Sequence, residues 1–146
     1  MKQEKLPLAR LRQLSEHMPF NRSLGLRVAK THEDGVTIEI PIRDDMRNLA
    51  GVLHGGVSAT IADAAVGIAV LRHFGGERAC TTVDLKINYF RPISEGKVVA
   101  RSKLIRVGNH LAVGTVELKD AAGNLAGFAT ATYMLLEWPA RIKIKK

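Results

Sequence analysis

The sequence has one cysteine, few aromatic residues and no long uninterrupted hydrophobic run. A single cysteine, Cys80, excludes an intramolecular disulfide, and no cysteine or histidine spacing suits a zinc site. Cys80 begins a predicted strand, which favours a small buried side chain over a nucleophile. Disulfide-stabilised and zinc-binding classes are therefore excluded.

Membrane-spanning and secreted classes are also disfavoured. The most apolar stretch of the chain is interrupted by Ser58, Thr60 and Asp63, so no uninterrupted run reaches the length of a transmembrane helix. The first residues lack the apolar centre of a signal peptide. We expect a cytoplasmic protein that does not act with a membrane.

Length and charge favour one domain with a basic surface. With 146 residues, of which 46% are hydrophobic, the chain can bury a substantial core in a single domain. The net charge is +8, but the basic residues are scattered except for a cluster at residues 141–146. Aromatic residues make up only 5% and offer little surface for stacking bases. We rank a solvated basic surface first, a rim that attracts a polyanionic small molecule second, and nucleic-acid binding third.

The first part of the chain predicts a short helix and then a hairpin. Residues 6–18 have apolar side chains at near-helical spacing, which predicts an amphipathic helix that Pro19 ends. Phe20 is expected to anchor in a pocket or in the core. From residue 26 the hydrophobic period changes to two, and the turn at residues 32–35 contains the Asp-Gly pair typical of a β-hairpin.

The second half of the chain predicts four strands. Residues 80–91 alternate cleanly, which puts Thr82 and Asp84 on one face of the strand and Val83 on the other. Turn residues separate further strands expected at 97–107, 111–119 and 125–137. The order predicts an α+β fold, with one antiparallel sheet wrapped around a long hydrophobic helix and the last four strands in a meander. A second βαβ unit is missing from the pattern, which argues against a doubly wound fold.

The long helix is expected at residues 57–74 and contains an unusual acid. Its apolar residues occupy most of the circumference, so we expect burial on nearly all sides. Gly75 and Gly76 predict its end, because glycine readily adopts the left-handed conformation. Asp63 lies in the middle of this run. A carboxylate there is costly unless it is paired, solvated in a cleft or used in chemistry.

The residues before this helix offer a second functional feature. His54, Gly55 and Gly56 lead into its first turn, where backbone N–H groups have no partner inside the helix. Glycine lets another molecule approach this backbone closely, and the positive end of the helix dipole attracts a carbonyl oxygen or an anion. One element therefore predicts an oxyanion site at its tip and a carboxylate two turns further on.

The distance between these two features predicts a dimer. Gly55 and Asp63 are eight residues apart, which is about 12 Å along a helix. An oxygen held at the tip is therefore out of reach of the Asp63 in the same helix. We expect two copies to pack antiparallel, so that each Asp63 meets the Gly55 of the other copy in two shared sites.

Six residues around the start of the helix have the spacing of a known motif: Asn48, Gly51, His54, Gly55, Gly56 and Asp63. The motif resembles that of the hot-dog-fold acyl-CoA thioesterases of the phenylacetic-acid-degradation (PaaI-like) type. Residues 82–92 are similar to the strand that follows the helix in that family. The resemblance covers residues 20–137 and leaves an N-terminal helix at 1–19 and a basic tail at 138–146 outside the domain.

The resemblance implies a catalytic role for five residues. It assigns the backbone N–H of Gly55 to polarising the thioester carbonyl, and Asp63 to acting as a general base on water or as a nucleophile. Thr82 matches a residue that positions this water. Asn48 and His54 match residues that order the loop near the thioester. For His54, a structural hydrogen bond and contact with the substrate are both open.

The resemblance also implies an acyl-CoA substrate, hydrolysed to the free acid and coenzyme A without a metal or redox cofactor. Gly56 is expected to contact the substrate at the helix tip, and basic groups at the rim are expected to meet the phosphates of coenzyme A. The candidates for the rim are Arg91, Arg106, Gly108, Asn109 and His110. The acyl chain is expected between the paired helices, near Ile61, Ala65 and Ile68.

Two other functions fit the same fold. One is a non-catalytic protein that binds or senses acyl-CoA, and the presence of Asp63 and Thr82 argues against it. The other is a hydratase, which would need a histidine base facing an acid and a hydratase motif that this chain lacks. The pattern is compatible with aromatic, medium-chain and long-chain acyl groups, and with dimers that pair into tetramers.

Overall fold

The computed structural model describes residues 3–140 and residue 142. The basic cluster expected at residues 141–146 therefore lies, except for Ile142, outside the described residues. The helices are α1 (Leu8–Ser15), α2 (Pro19–Ser23) and α3 (Gly55–His73), with a 3₁₀ turn at Asp44–Met46. The strands are β1 (Arg27–His32), β2 (Gly35–Pro41), β3 (Ala79–Tyr89), β4 (Lys97–Val107), β5 (Leu111–Lys119) and β6 (Leu125–Leu136).

The N-terminal apolar stretch forms two short helices instead of one. α1 ends at Ser15, and Pro19 begins α2 rather than ending the first helix. Proline suits this first position, because its missing N–H would have no partner there. Leu11 of α1 is fully buried and belongs to the main core. Phe20 is 62% exposed, so it does not anchor in the core, although it borders a cavity described below.

The six strands form one antiparallel sheet in the order β1-β2-β4-β5-β6-β3. The predicted architecture, one antiparallel sheet around one hydrophobic helix, is confirmed. The predicted meander of the last four strands is wrong for β3, which pairs with β6 at the sheet edge, while β4 pairs with β2. The physical reason is that α3 crosses the face of the sheet and carries the chain from β2 to the opposite edge.

α3 is buried on the side that faces the sheet and open along one stripe. Asp63, Ala64, Gly67 and Leu71 are only half-buried, so the expectation of burial on nearly all sides is wrong within one chain. Over the described residues, α3 is also the one helix long and apolar enough to span a membrane, and here it is the core helix of the sheet. Its end agrees with the prediction, because Gly75 has a φ of 59°. The fully enclosed side chains of α3 include Ile61, Ala62, Ala65, Val66 and Val70.

A β-bulge in β3 decides which way Thr82 points. The pairing register of β3 with β6 shifts between Thr82 and Asp84, so Val83 is an extra residue on this strand. Thr82 pairs with Tyr133, whose side chain faces α3, and Leu85 beyond the bulge also packs against the core. The clean alternation predicted for this strand is therefore wrong. The bulge puts Thr82 on the helix-facing side, away from the face of Asp84.

Candidate active site

The Asp63 carboxylate lies midway along α3 and faces β3 and β6. Its Oδ1 atom accepts hydrogen bonds from the Thr82 hydroxyl at 2.8 Å and the Tyr133 hydroxyl at 2.7 Å. The Tyr133 hydroxyl is also 2.7 Å from the backbone carbonyl oxygen of Asp63. Among residues 3–140, no hydrogen bond reaches Oδ2. One carboxylate oxygen is thus held in place and the other is free to take a proton or meet a substrate.

Sequence reasoning missed Tyr133. The available signal was a tyrosine within an apolar strand, because a buried tyrosine hydroxyl usually finds a hydrogen-bond partner. Burial raises the pKa of Tyr133 above its ordinary value, and the nearby Asp63 charge acts in the same direction. The hydroxyl therefore keeps its proton at neutral pH and serves as a donor to Asp63.

Asp63 borders a largely apolar cavity of about 370 Å³. Its walls include Phe20 of α2, a stripe of α3 formed by Ala64, Gly67 and Leu71, and Trp138 beyond β6. A cavity of this size and lining suits an apolar ligand. Of the three residues expected to meet the acyl chain, Ile68 lines the cavity, but Ile61 and Ala65 face the sheet and are fully buried. The prediction for those two residues is wrong.

Cys80 lines the same cavity but is not suited to act as a nucleophile. Burial, and next the Asp63 charge, raise the pKa of Cys80 to about 11. The thiol is therefore protonated at neutral pH, and only the thiolate is a strong nucleophile. This agrees with its interpretation as a small packing residue. Within the described part of the chain, no three His, Cys, Asp or Glu side chains form a cluster able to hold a metal ion.

Within the described residues, one backbone donor in the first turn of α3 has no partner. His54 is the N-cap, and its Nδ1 atom accepts a hydrogen bond from the Gly56 N–H at 2.9 Å. The Val57 N–H donates to the His54 carbonyl oxygen. The contact expected between Gly56 and the substrate is therefore not available through this N–H. Among the first-turn groups within residues 3–140, the Gly55 N–H is left to bind an external oxygen.

Asn48 orders the loop that precedes α3. Its Oδ1 atom accepts hydrogen bonds from the backbone N–H groups of Ala50 at 3.0 Å and Val52 at 3.3 Å. Its own backbone N–H donates to the Val52 carbonyl oxygen. These hydrogen bonds are those expected of a residue that orders the loop.

A second cavity, of about 380 Å³, lies at the tip of α3. Asn48, Gly55 and Arg91 border it, and the Tyr89 hydroxyl donates a hydrogen bond of 2.7 Å to the Gly55 carbonyl oxygen on its wall. Asp63 borders the first cavity and not this one. One chain therefore keeps the helix tip and the acid in separate cavities.

The residues expected to bind coenzyme A do not come together within one chain. Arg91 borders the cavity at the helix tip, and so does Leu118 near the end of β5. The turn at residues 108–110 precedes the other end of β5, which places it roughly 25 Å from Leu118 at about 3.4 Å per residue. The turn lies instead at the end of the sheet near Asp63. The His110 carbonyl oxygen accepts a hydrogen bond from the N–H of Leu135, which is on β6, the strand that carries Tyr133. Arg106 stands just before that turn, on β4.

Comparison with known proteins identifies the family. A model of the thioesterase superfamily matches residues 50–126. The chain belongs to the thioesterase superfamily. It is 34% identical over 134 residues to YigI of Escherichia coli, a medium/long-chain acyl-CoA thioesterase, covering 82% of this chain and 86% of YigI. A putative esterase of Thermoplasma acidophilum is 28% identical over 116 residues, covering 80% of this chain and 87% of the esterase.

Solved structures of thioesterases share the fold. A thioesterase family protein from Silicibacter pomeroyi superimposes with a TM-score of 0.81 at 26% identity, covering 90% of this chain and 100% of that chain. A thioesterase from Haemophilus influenzae gives a TM-score of 0.85 at 24% identity, covering 97% of this chain and 100% of that chain. The hot-dog fold and the expected enzyme class, a thioester hydrolase, are both confirmed.

Proposed function

We propose that this thioesterase hydrolyses acyl-CoA thioesters with medium to long acyl chains to the free acid and coenzyme A. The observation that carries the proposal is the Asp63 carboxylate, held by two hydroxyl donors at the wall of an apolar cavity. The choice of acyl group is supported by the similarity to YigI, which is a medium/long-chain acyl-CoA thioesterase. The cavity beside Asp63 receives the acyl chain along the stripe formed by Ala64, Gly67 and Leu71.

In the proposed reaction, Asp63 supplies the negative charge and Gly55 stabilises the oxyanion. Thr82 and Tyr133 hold Oδ1 of Asp63, so Oδ2 either takes a proton from the attacking water or itself attacks the thioester carbon. The carbonyl oxygen becomes negative and accepts a hydrogen bond from the Gly55 N–H at the positive end of α3. The carbon–sulfur bond then breaks, and coenzyme A leaves as a thiolate that takes up a proton. Where water attacks, this step releases the free acid; where Oδ2 attacks, it leaves a mixed anhydride between Asp63 and the acyl group, which water then hydrolyses to the free acid and the Asp63 carboxylate. No metal or redox cofactor takes part, and coenzyme A belongs to the substrate.

We propose that two chains share each site. The Gly55 N–H and the Asp63 carboxylate belong to separate cavities in one chain, about 12 Å apart along α3. The open stripe of α3 and the free edge of β3 support pairing through this side of the molecule, since an exposed edge strand is a template for a second chain. Val83, Tyr89 and Phe90 on and just beyond that strand are 50%, 53% and 57% exposed. Assembly of such dimers into tetramers stays a prediction.

The same pairing accounts for the proposed coenzyme A site. If the two α3 helices are antiparallel, Asp63 of one chain lies near the N-terminus of α3 in the other chain. The turn at residues 108–110 then lies on the side of the partner's Arg91. Arg106 and Arg91 would supply the positive rim for the phosphates of coenzyme A, since arginine pairs well with phosphate. His54 acts as a structural cap in this scheme, because its Nδ1 atom is already bonded to Gly56.

The test is thiol release from a panel of acyl-CoA thioesters of increasing chain length, with the Asp63→Asn variant beside the wild type. The asparagine side chain preserves the size and an acceptor oxygen but cannot act as a base, so we expect turnover to fall by about 10²–10⁴-fold. Asp84→Asn is the matched control, because Asp84 lies on the outward face of the neighbouring strand, and it should keep wild-type turnover. Near-normal turnover by Asp63→Asn contradicts the proposed role. Tight acyl-CoA binding without turnover by the wild type would instead favour a sensing protein.

A further inference from the structure

Gly67 and Tyr133 make a close contact next to Asp63 that the family motif does not include. We infer that Tyr133 is a positioning residue for the Asp63 carboxylate, and that Gly67 is needed because only glycine lets Tyr133 approach α3 so closely. The inference rests on the proposed hydrolysis, since it concerns the same site.

The Tyr133 hydroxyl is held at two points. It lies 2.7 Å from Oδ1 of Asp63 and 2.7 Å from the Asp63 carbonyl oxygen. Because the Tyr133 hydroxyl contacts both the side chain and the backbone of Asp63, it limits the rotation of the Asp63 side chain. Thr82, which pairs with Tyr133 across the two strands, donates to the same Oδ1 atom at 2.8 Å. The two hydroxyl groups therefore set the orientation of the carboxylate and direct Oδ2 away from them.

Gly67 makes the approach of Tyr133 possible. It lies one helical turn after Asp63, on the same face of α3. A Cβ atom on Gly67 would lie 2.9 Å from the Tyr133 hydroxyl oxygen and 3.1 Å from two ring carbons. The hydroxyl cannot retreat without losing its acceptors on Asp63. A helix is less stable with glycine than with alanine at an interior position. The close approach of Tyr133 explains why glycine is present at position 67.

The hydroxyls of Thr82 and Tyr133 are the main groups that stabilise the Asp63 carboxylate. Cys80 of β3 and Tyr133 of β6 both have a raised pKa and stay neutral near pH 7. Arg78 borders the same cavity, and its guanidinium pairs with Glu137. Loss of the Tyr133 hydroxyl would therefore remove one of the two hydroxyl donors to Oδ1 and leave the carboxylate less well oriented.

The decisive experiment measures kcat and KM separately for thiol release by Tyr133→Phe. The variant keeps the ring but loses the hydroxyl, so we expect kcat to fall by about ten- to a hundredfold, the value of a hydrogen bond to a charged group. KM should change little. Thr132→Val, which removes a hydroxyl from the other face of the same strand, should leave kcat and KM unchanged.

Gly67→Ala provides a second, independent variant. It should lower kcat in a similar way while the protein still melts cooperatively. In the Tyr133→Phe background the same change should have a much smaller effect, because a ring that is no longer held by hydrogen bonds to Asp63 can move away from the added Cβ atom. Full additivity of the two changes would overturn the part assigned to Gly67.

Three results would overturn the positioning role of Tyr133. The first is a wild-type kcat in Tyr133→Phe while the wild type is active, which leaves the proposed function intact. The second is loss of cooperative melting in both Tyr133→Phe and Gly67→Ala, which would assign the contact to folding. The third is a wild type that releases no thiol from any acyl-CoA, which would overturn the proposed function together with this inference.

Discussion

The role of the Gly55 N–H can be tested by removing that single hydrogen-bond donor. Gly55 is the first residue of α3 and does not have a positive φ. Proline is favoured at this first helical position, because it has no N–H and its φ suits a helix. The preceding His54 has φ −62° and ψ 133°, a conformation that a following proline requires. The Gly55→Pro substitution should therefore remove the donor without breaking the helix.

The structure also provides the control for this substitution. A Cβ atom at position 55 would lie 3.2 Å from the ring and hydroxyl of Tyr89, so the ring must move by a few tenths of an ångström. Tyr89 is 53% exposed and has room to do so in the single chain. Gly55→Ala brings in the same Cβ atom but keeps the N–H. Comparing the two variants separates the effect of the donor from the effect of added bulk.

We expect Gly55→Pro to lower kcat by about 10²–10³-fold, which is the usual cost of losing one oxyanion donor. Gly55→Ala should stay within about tenfold of the wild type, so its activation free energy should rise by no more than about 1.4 kcal/mol. The free energy of unfolding of both variants should lie within about 1 kcal/mol of the wild-type value. The measurements are steady-state thiol release and thermal melting. Equal kcat values for the proline and alanine variants would refute the assignment of Gly55 as the oxyanion donor.

Two further predictions concern the shared site and the acyl cavity. Mixing and re-pairing the Asp63→Asn and Gly55→Pro variants should restore about a quarter of wild-type activity, since half of the dimers are mixed and each holds one intact site; the absence of recovery would contradict sharing. Trp138 lines both the cavity beside Asp63 and a cavity of about 630 Å³ under the N-terminal segment. Trp138→Ala should therefore move the preferred substrate in the panel to longer acyl chains, with about 0.8 kcal/mol gained per extra buried methylene. An unchanged or shorter optimum would show that Trp138 does not limit chain length.

Local patterns in the sequence were enough for most of the elements and for the family. The predicted strands at 97–107 and 111–119 are observed as Lys97–Val107 and Leu111–Lys119. The predicted helix begins two residues too late and ends one residue too late, at residue 74 instead of His73. These features depend on hydrophobic period and on turn glycines, which act between residues close in the chain. The motif around His54 and Asp63 could also be recognised in the sequence, because its residues lie within one loop and one helix.

The tertiary structure alone decided which strands are neighbours and which residues surround the acid. β3 pairs with β6 because α3 carries the chain across the sheet, and hydrophobic period within a strand holds no information about its partner. The bulge at Val83 turns Thr82 to the helix, and Tyr133 reaches Asp63 from 70 residues away. Such contacts depend on how separate elements pack, so the sequence indicated the acid but not the tyrosine that holds it.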